Sequence, residues 1–111
     1  AGSEPETQAL VSLIKKEQIR LVLSFHNAGK DVTGSIDELG QELAKQYANT
    51  SGYRFFSQEE WSNLAQTGTM KEWCEQQHIS YLEIESSSRW KSDWNIQEPA
   101  IKNLFEKIRS L

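Results

Sequence analysis

The sequence predicts an α/β fold of three layers, α/β/α, around a largely parallel or mixed sheet. Two observations carry this. Helix-period and strand-period patterns alternate along the chain, the order that builds a parallel sheet with helices on its faces. The helical stretches also open on Ser/Thr-x-x-Glu pairs, which satisfy the unpaired N–H groups of a first turn and so fix where each helix begins.

Ser3 with Glu6 caps a first helix that places Ala9, Leu10, Leu13 and Ile14 on one face. Residues 19–26, "IRLVLSFH", alternate Ile19, Leu21, Leu23 and Phe25 against Arg20, Val22, Ser24 and His26. Apolar character on both faces predicts an inner strand. Ser35 with Glu38 caps a second helix carrying Ile36, Leu39, Leu43 and Tyr47 inward. "GYRFFS" reads as a short strand, and Ser57 with Glu60 as the start of a minor helical turn. Thr69 with Glu72 caps a third helix running through Gln77, and "ISYLEIES", residues 79–86, is the third strand. Residues 86–99 are too polar for a core and read as an irregular segment holding Trp90 and Trp94, expected to pack in preference to forming a substrate wall. Ala100, Ile101, Leu104, Phe105 and Ile108 give a closing helix.

A chain of 111 residues, 37% hydrophobic and 25% charged, is expected to form one domain, residues 1–111, with a single core. No apolar run approaches the roughly 20 residues that cross a bilayer, so no membrane partner is expected. The net charge of −4, with basic residues scattered, removes the electrostatic footprint of a nucleic-acid binder. Cys74, the single cysteine, is expected to be a small buried apolar residue, and Lys71 and Glu75 to belong to a solvated face. The chain begins Ala-Gly-Ser without a methionine and is expected to be a piece of something longer.

In α/β sheets ligands sit beyond the carboxyl ends of the strands. His26 closes the first strand and Glu85 lies at the end of the third. Glu83 and Glu85 are two apart and share a face with Tyr81, their side chains roughly 7 Å apart. Carboxylates near a sheet centre require a compensating cation, arginine or metal. A histidine and a glutamate converging on one crevice make half of a metal-assisted hydrolysis site.

The ordered set "SEPET", "LSFHNAG", "TGTMKEW" and "YLEIE" resembles the C-terminal half of the zinc metallocarboxypeptidases related to carboxypeptidase A, over nearly the whole chain. The resemblance implies a zinc-peptidase-like fold, zinc as cofactor and a peptide or cell-wall peptide as substrate. It makes His26 the third zinc ligand and Glu85 the general base. It also implies a secreted or cell-envelope location. Candidate substrate-binding residues are Asn27, Trp61, Met70 and Arg89. Asn27, with Gly29, shapes the tight exit from the strand beside the imidazole. Trp61 or Tyr53 is the candidate replacement for a family tyrosine whose position is taken by Leu64, although both are expected first as packing aromatics. Met70 lies within "TGTMKEW", one residue longer than the family pattern, and Arg89 is an anion contact beside the two tryptophans.

The departures matter as much. The family's His-x-x-Glu pair and substrate-gripping arginines lie upstream of "SEPE" and have no counterpart here. His78, the other histidine, stands where the family commonly has glycine and reads as an exposed turn residue. Catalytic zinc takes three protein ligands, so the isolated chain is expected to be inactive. It would need the missing N-terminal half. A different class also fits: a noncatalytic module that binds a partner, or a second copy, through the open site or an exposed sheet edge.

Overall fold

The computed structural model describes residues 4–64, 68–88, 90 and 92–111. In chain order these form α1 (Pro5–Lys16), β1 (Leu21–Asn27), β2 (Asp31–Gly34), α2 (Glu38–Ser51), β3 (Arg54–Phe55), α3 (Gln58–Ser62), α4 (Met70–Gln76), β4 (Ser80–Ser86) and α5 (Trp94–Arg109). Among the described residues the four strands make one mixed sheet in the order β1-β4-β2-β3. β4 runs parallel to β1 and antiparallel to β2, and β3 runs parallel to β2.

Side-chain alternation along β4 sends Leu82 and Ile84 to one face and Tyr81 to the other, and this divides the interior in two. Leu82, Ile84 and Val32 pack with Leu43, Ala44 and Tyr47 of α2 and with Ala100 and Leu104 of α5. On the opposite face Tyr81 packs with Ile14 of α1, Cys74 of α4 and Ile79. Helices thus cover both faces, which gives the three layers. Leu43, Leu82, Ile84 and Leu104 are wholly buried, so truncating any one to alanine costs about 2–5 kcal/mol.

Several elements form where the caps place them. Ser57 and Glu60 make a reciprocal capping box on α3. Thr69 accepts from the Glu72 N–H at the start of α4. β4 fills all but the first residue of the expected third strand.

Other elements differ. The Ser3 cap lies outside the described residues; α1 has Glu4 at its N-cap, without a side-chain hydrogen bond, and Pro5 in its first turn. β1 is an edge strand among the described residues, not an inner one, because its apolar residues meet helices above and below and a strand only at β4. β2 was not foreseen: "DVTG" has one large apolar residue and owes its strand form to β4 and β3 on either side. Asp37, not Ser35, caps α2. Ser35 is drawn into the interior, where its Oγ accepts from the Tyr81 N–H at 2.9 Å, and Ile36 is left 59% exposed before the helix begins. α5 starts at Trp94, so the segment expected to be irregular is helical in its last part, with Pro99 inside the helix.

The helices feeding β1 and β4 end alike. Gln18 and His78 sit in the left-handed region, at φ 54° and 60°. The next N–H reaches back five residues in each case, Ile19 to Ile14 and Ile79 to Cys74, while Gln18 and His78 themselves bond back three. This is the Schellman arrangement, with its apolar pair buried on the same face of the sheet.

Candidate functional site

The β4 register assembles the polar face. Across it, Ser24, Glu83 and Thr33 form one row, and His26, Glu85, Asp31 and Arg54 form the next. Directly paired residues of a sheet project to one face. His26 and Glu85, remote in sequence, are therefore neighbours at the ends of parallel strands.

The side chains refine this picture. His26 is half exposed, and its Nε2 shares a 2.8 Å hydrogen bond with Ser24 Oγ. The carboxylate nearest its ring is that of Glu83, with Oε1 3.9 Å from Nε2. Glu83 is largely buried and accepts from the Tyr81 hydroxyl at 2.9 Å. Burial pushes the Tyr81 phenol above its ordinary value; a hydrogen bond with Ser24 opposes this and the charge of Glu83 adds to it. Tyr81 therefore keeps its proton and remains a donor to Glu83.

Glu85 lies on the far side of this pair, toward Asp31. A Cβ on Gly29 would stand 3.0 Å from Glu85 Oε1 and 3.1 Å from Asp31 Oδ2, so both carboxylates lie close against the loop after β1. Burial, and then the charge of Glu85, raises the Asp31 pKa, partly offset by Arg54.

A cavity of about 230 Å³ opens over this face, with Glu83, Glu85, Asp31 and Thr33 on its floor. Phe56, Trp61 and Leu64 form its wall, and the Phe56 and Trp61 rings meet edge to face at 6.5 Å. Trp61 is held from behind. Lys71 Nζ lies 4.9 Å from its ring, 2.7 Å from Glu75 Oε2 and 2.9 Å from Gln58 Oε1. Lys71 is thus 1% exposed and part of a buried network, not of a solvated face.

The candidate residues do not all converge. His26 and Glu85 share the polar face, and Glu85 and Trp61 line its cavity, which His26 does not. Asn27, the last residue of β1, lines a separate hollow with Ser86. Met70 lines a third depression, between α1 and α4, and packs against the Tyr81 layer. Arg89 lies outside the described residues. His78 is exposed at its turn, and Cys74 is buried with its thiol pushed up to about 11 by burial. Tyr53 is no stand-in for a substrate-facing phenol, because its hydroxyl donates to Asp93 in the interior. Trp90 and Trp94 do not pack: they are 91% and 56% exposed. Two participants escaped sequence reasoning: Asp31, which rides on the unforeseen β2, and Glu83 as the closer partner of His26. The parity of β4 already placed Glu83 on this face.

Among the described residues no three His, Cys, Asp or Glu side chains are grouped to hold a metal ion. His26 and a glutamate make two donors, which do not fit a complete zinc site.

No family model and no curated protein matches the chain. Among solved structures it is similar to the murein-tripeptide amidase MpaA from Escherichia coli O157, with a TM-score of 0.65 and 24% identity. The match covers 97% of this chain and 42% of that one, so the chain spans less than half the length of its structural neighbour. A likeness at this identity establishes a shared fold.

Proposed function

We propose that the chain is the C-terminal part of a peptide or amide hydrolase built like the zinc carboxypeptidases, its active centre completed by ligands from outside residues 1–111. The observation that carries this reading is the approach of His26 to Glu83 at 3.9 Å, beside Glu85, the two glutamates lining a cavity with an aromatic wall. Likeness in fold to an enzyme named for a murein tripeptide supports a peptide substrate, a cell-wall peptide included.

The chain's own contribution follows from its side chains. The imidazole of His26 offers one nitrogen donor, held in place by Ser24. A carboxylate beside it accepts and returns a proton. The resemblance to the zinc carboxypeptidases assigns that role to Glu85. The side-chain geometry favours Glu83, which lies nearer His26 and is oriented by the Tyr81 hydroxyl, with Glu85 flanking it. Trp61 and Phe56 exclude water from one side of the cavity.

Zinc titration and peptide hydrolysis of the protein extended upstream in its own reading frame test this. His26→Ala is expected to weaken zinc binding by at least about tenfold. Glu83→Gln is expected to keep zinc stoichiometry and lose about 10²-fold or more in turnover. Unchanged zinc affinity in His26→Ala overturns the ligand assignment. Full activity in Glu83→Gln with loss in Glu85→Gln moves the base to Glu85.

A further inference from the structure

Past the tips of β1 and β4 lies a second hollow, of about 370 Å³, outside the carboxylate cavity. Its base is the register pair Asn27 and Ser86, each one residue beyond His26 and Glu85. The step of one residue turns these side chains to the opposite face of the sheet. Ser88, Trp90, Trp94 and Gln97 complete the lining.

This hollow is a built feature. Asp93 at the start of α5 accepts from the Ser87 N–H and the Ser87 hydroxyl, both at 2.7 Å, and from the Tyr53 hydroxyl. The Trp90 N–H donates to Ser88 Oγ at 3.0 Å and the Trp94 N–H to Ser92 Oγ at 3.1 Å. Gln97 is anchored through Oε1 by the Tyr47 hydroxyl at 2.7 Å. Local hydrogen bonds therefore fix the backbone of both tryptophans, whose side chains are 91% and 56% exposed.

Exposing two tryptophans forgoes the largest apolar burial that any side chain offers, and tryptophans left at a polar hollow mark a recognition surface. The rest of the lining narrows the ligand. Its hydroxyls and amides both donate and accept. Its one charged side chain among the described residues, Asp93, already receives three hydrogen bonds, and these, the Tyr53 bond first, hold its carboxyl below the usual range. Among the described residues of the lining, nothing calls for a charged ligand. A neutral molecule with one flat apolar face and hydroxyls around its edge fits: a pyranose ring, with its C–H face on an indole and its hydroxyls on the serines, Asn27 and Gln97. A peptide would satisfy the polar groups but presents no such two-sided ring.

We infer that the hollow at the ends of β1 and β4, walled by Trp90 and Trp94, is a binding site for a neutral saccharide. It is distinct from the carboxylate cavity and does not depend on the hydrolase reading, because binding is measured without turnover.

The test is a titration of the 111-residue chain with chitotriose through the millimolar range, following the four indole N–H signals in ¹H–¹⁵N spectra. The signals of Trp90 and Trp94 are expected to move together while those of Trp61 and Trp73 stay. Trp90→Ala is expected to weaken binding about tenfold, and Trp90→Phe by less. Trp90 is 91% exposed, so both variants should keep the wild-type spectrum elsewhere. Indole signals that do not move overturn the proposal, as does movement at Trp61, which would put the sugar in the other cavity. An equal response to trialanine overturns it in favour of a peptide site.

Discussion

Asp37 shows how much one carboxylate organises. Its side chain accepts from the Gly40 N–H at 2.9 Å, from Ser80 Oγ at 2.7 Å and from Ser35 Oγ, joining the first turn of α2 to the start of β4. Burial alone would raise its pKa, but these hydrogen bonds outweigh burial and leave it below the ordinary 3.8. The unfolded chain then binds the proton more readily than the folded one, so stability rises with pH through this window. Asp37 thus contributes stability that is fully present above about pH 5 and is lost as pH falls below 3.8 toward the folded value. Urea unfolding of Asp37→Asn is expected to show a deficit of about 1–2 kcal/mol at pH 7 that narrows in acid. A deficit independent of pH would remove the carboxylate's charge from the account. Sequence parity sufficed to put Glu83 and Glu85 on one face, because alternation in a strand is strict; that His26 shares this face follows from the β1–β4 register, which the sequence does not carry. Parity could not rank the two glutamates, since that depends on the Tyr81 hydroxyl and on Glu85 lying close against the loop at Gly29.

At the scale of elements, the two Schellman turns explain how α1 and α4 deliver their strands. His78 adopts a left-handed backbone that a side chain disfavours and glycine does not. It is exposed, and its described contact is the backbone bond to Glu75. His78→Gly is therefore expected to raise stability by about 0.5–1 kcal/mol, read as a higher denaturation midpoint. A loss of that size would mean the imidazole has a structural task. The caps of α3 and α4 were legible because a hydroxyl three residues before a glutamate carries its own geometry. β2 was not, because four residues with a terminal glycine hold no period of their own. Gly34 is needed there for close approach: a Cβ would stand 2.3 Å from the Gly40 carbonyl oxygen where β2 meets α2. The second helix was read with the wrong cap because Ser35 is claimed by a longer-range donor, the Tyr81 N–H.

For the whole molecule, the unspent surface is the informative part. β1 pairs on one side among the described residues, and Phe25 on it is 51% exposed. Leu10 and Leu13 of α1 are 42% and 50% exposed, and Phe105 of α5 is 49% exposed. Apolar groups thus remain uncovered in both helical layers and on the edge strand, the circumstances in which sheets recruit further chain. The 111-residue chain alone is expected to self-associate with rising concentration in sedimentation experiments. A Leu13→Lys, Phe25→Lys double variant should shift it toward monomer. A monomer at every concentration would show that these groups do not drive association. The α/β class was legible from alternation alone. The edge position of β1 was not, since a strand with two apolar faces looks the same in sequence wherever helices cover both sides of it.

The matched turns at Gln18 and His78 have one more effect. The pairing of Leu21 with Ser80 is set where the strands begin, and it carries forward unbroken to the pairing of His26 with Glu85. The chemistry at the tips is thus indexed from the opposite end of the sheet. Slipping a single extra residue between Ile19 and Leu21 would rotate the imidazole to the far side of the sheet, away from the glutamates of β4.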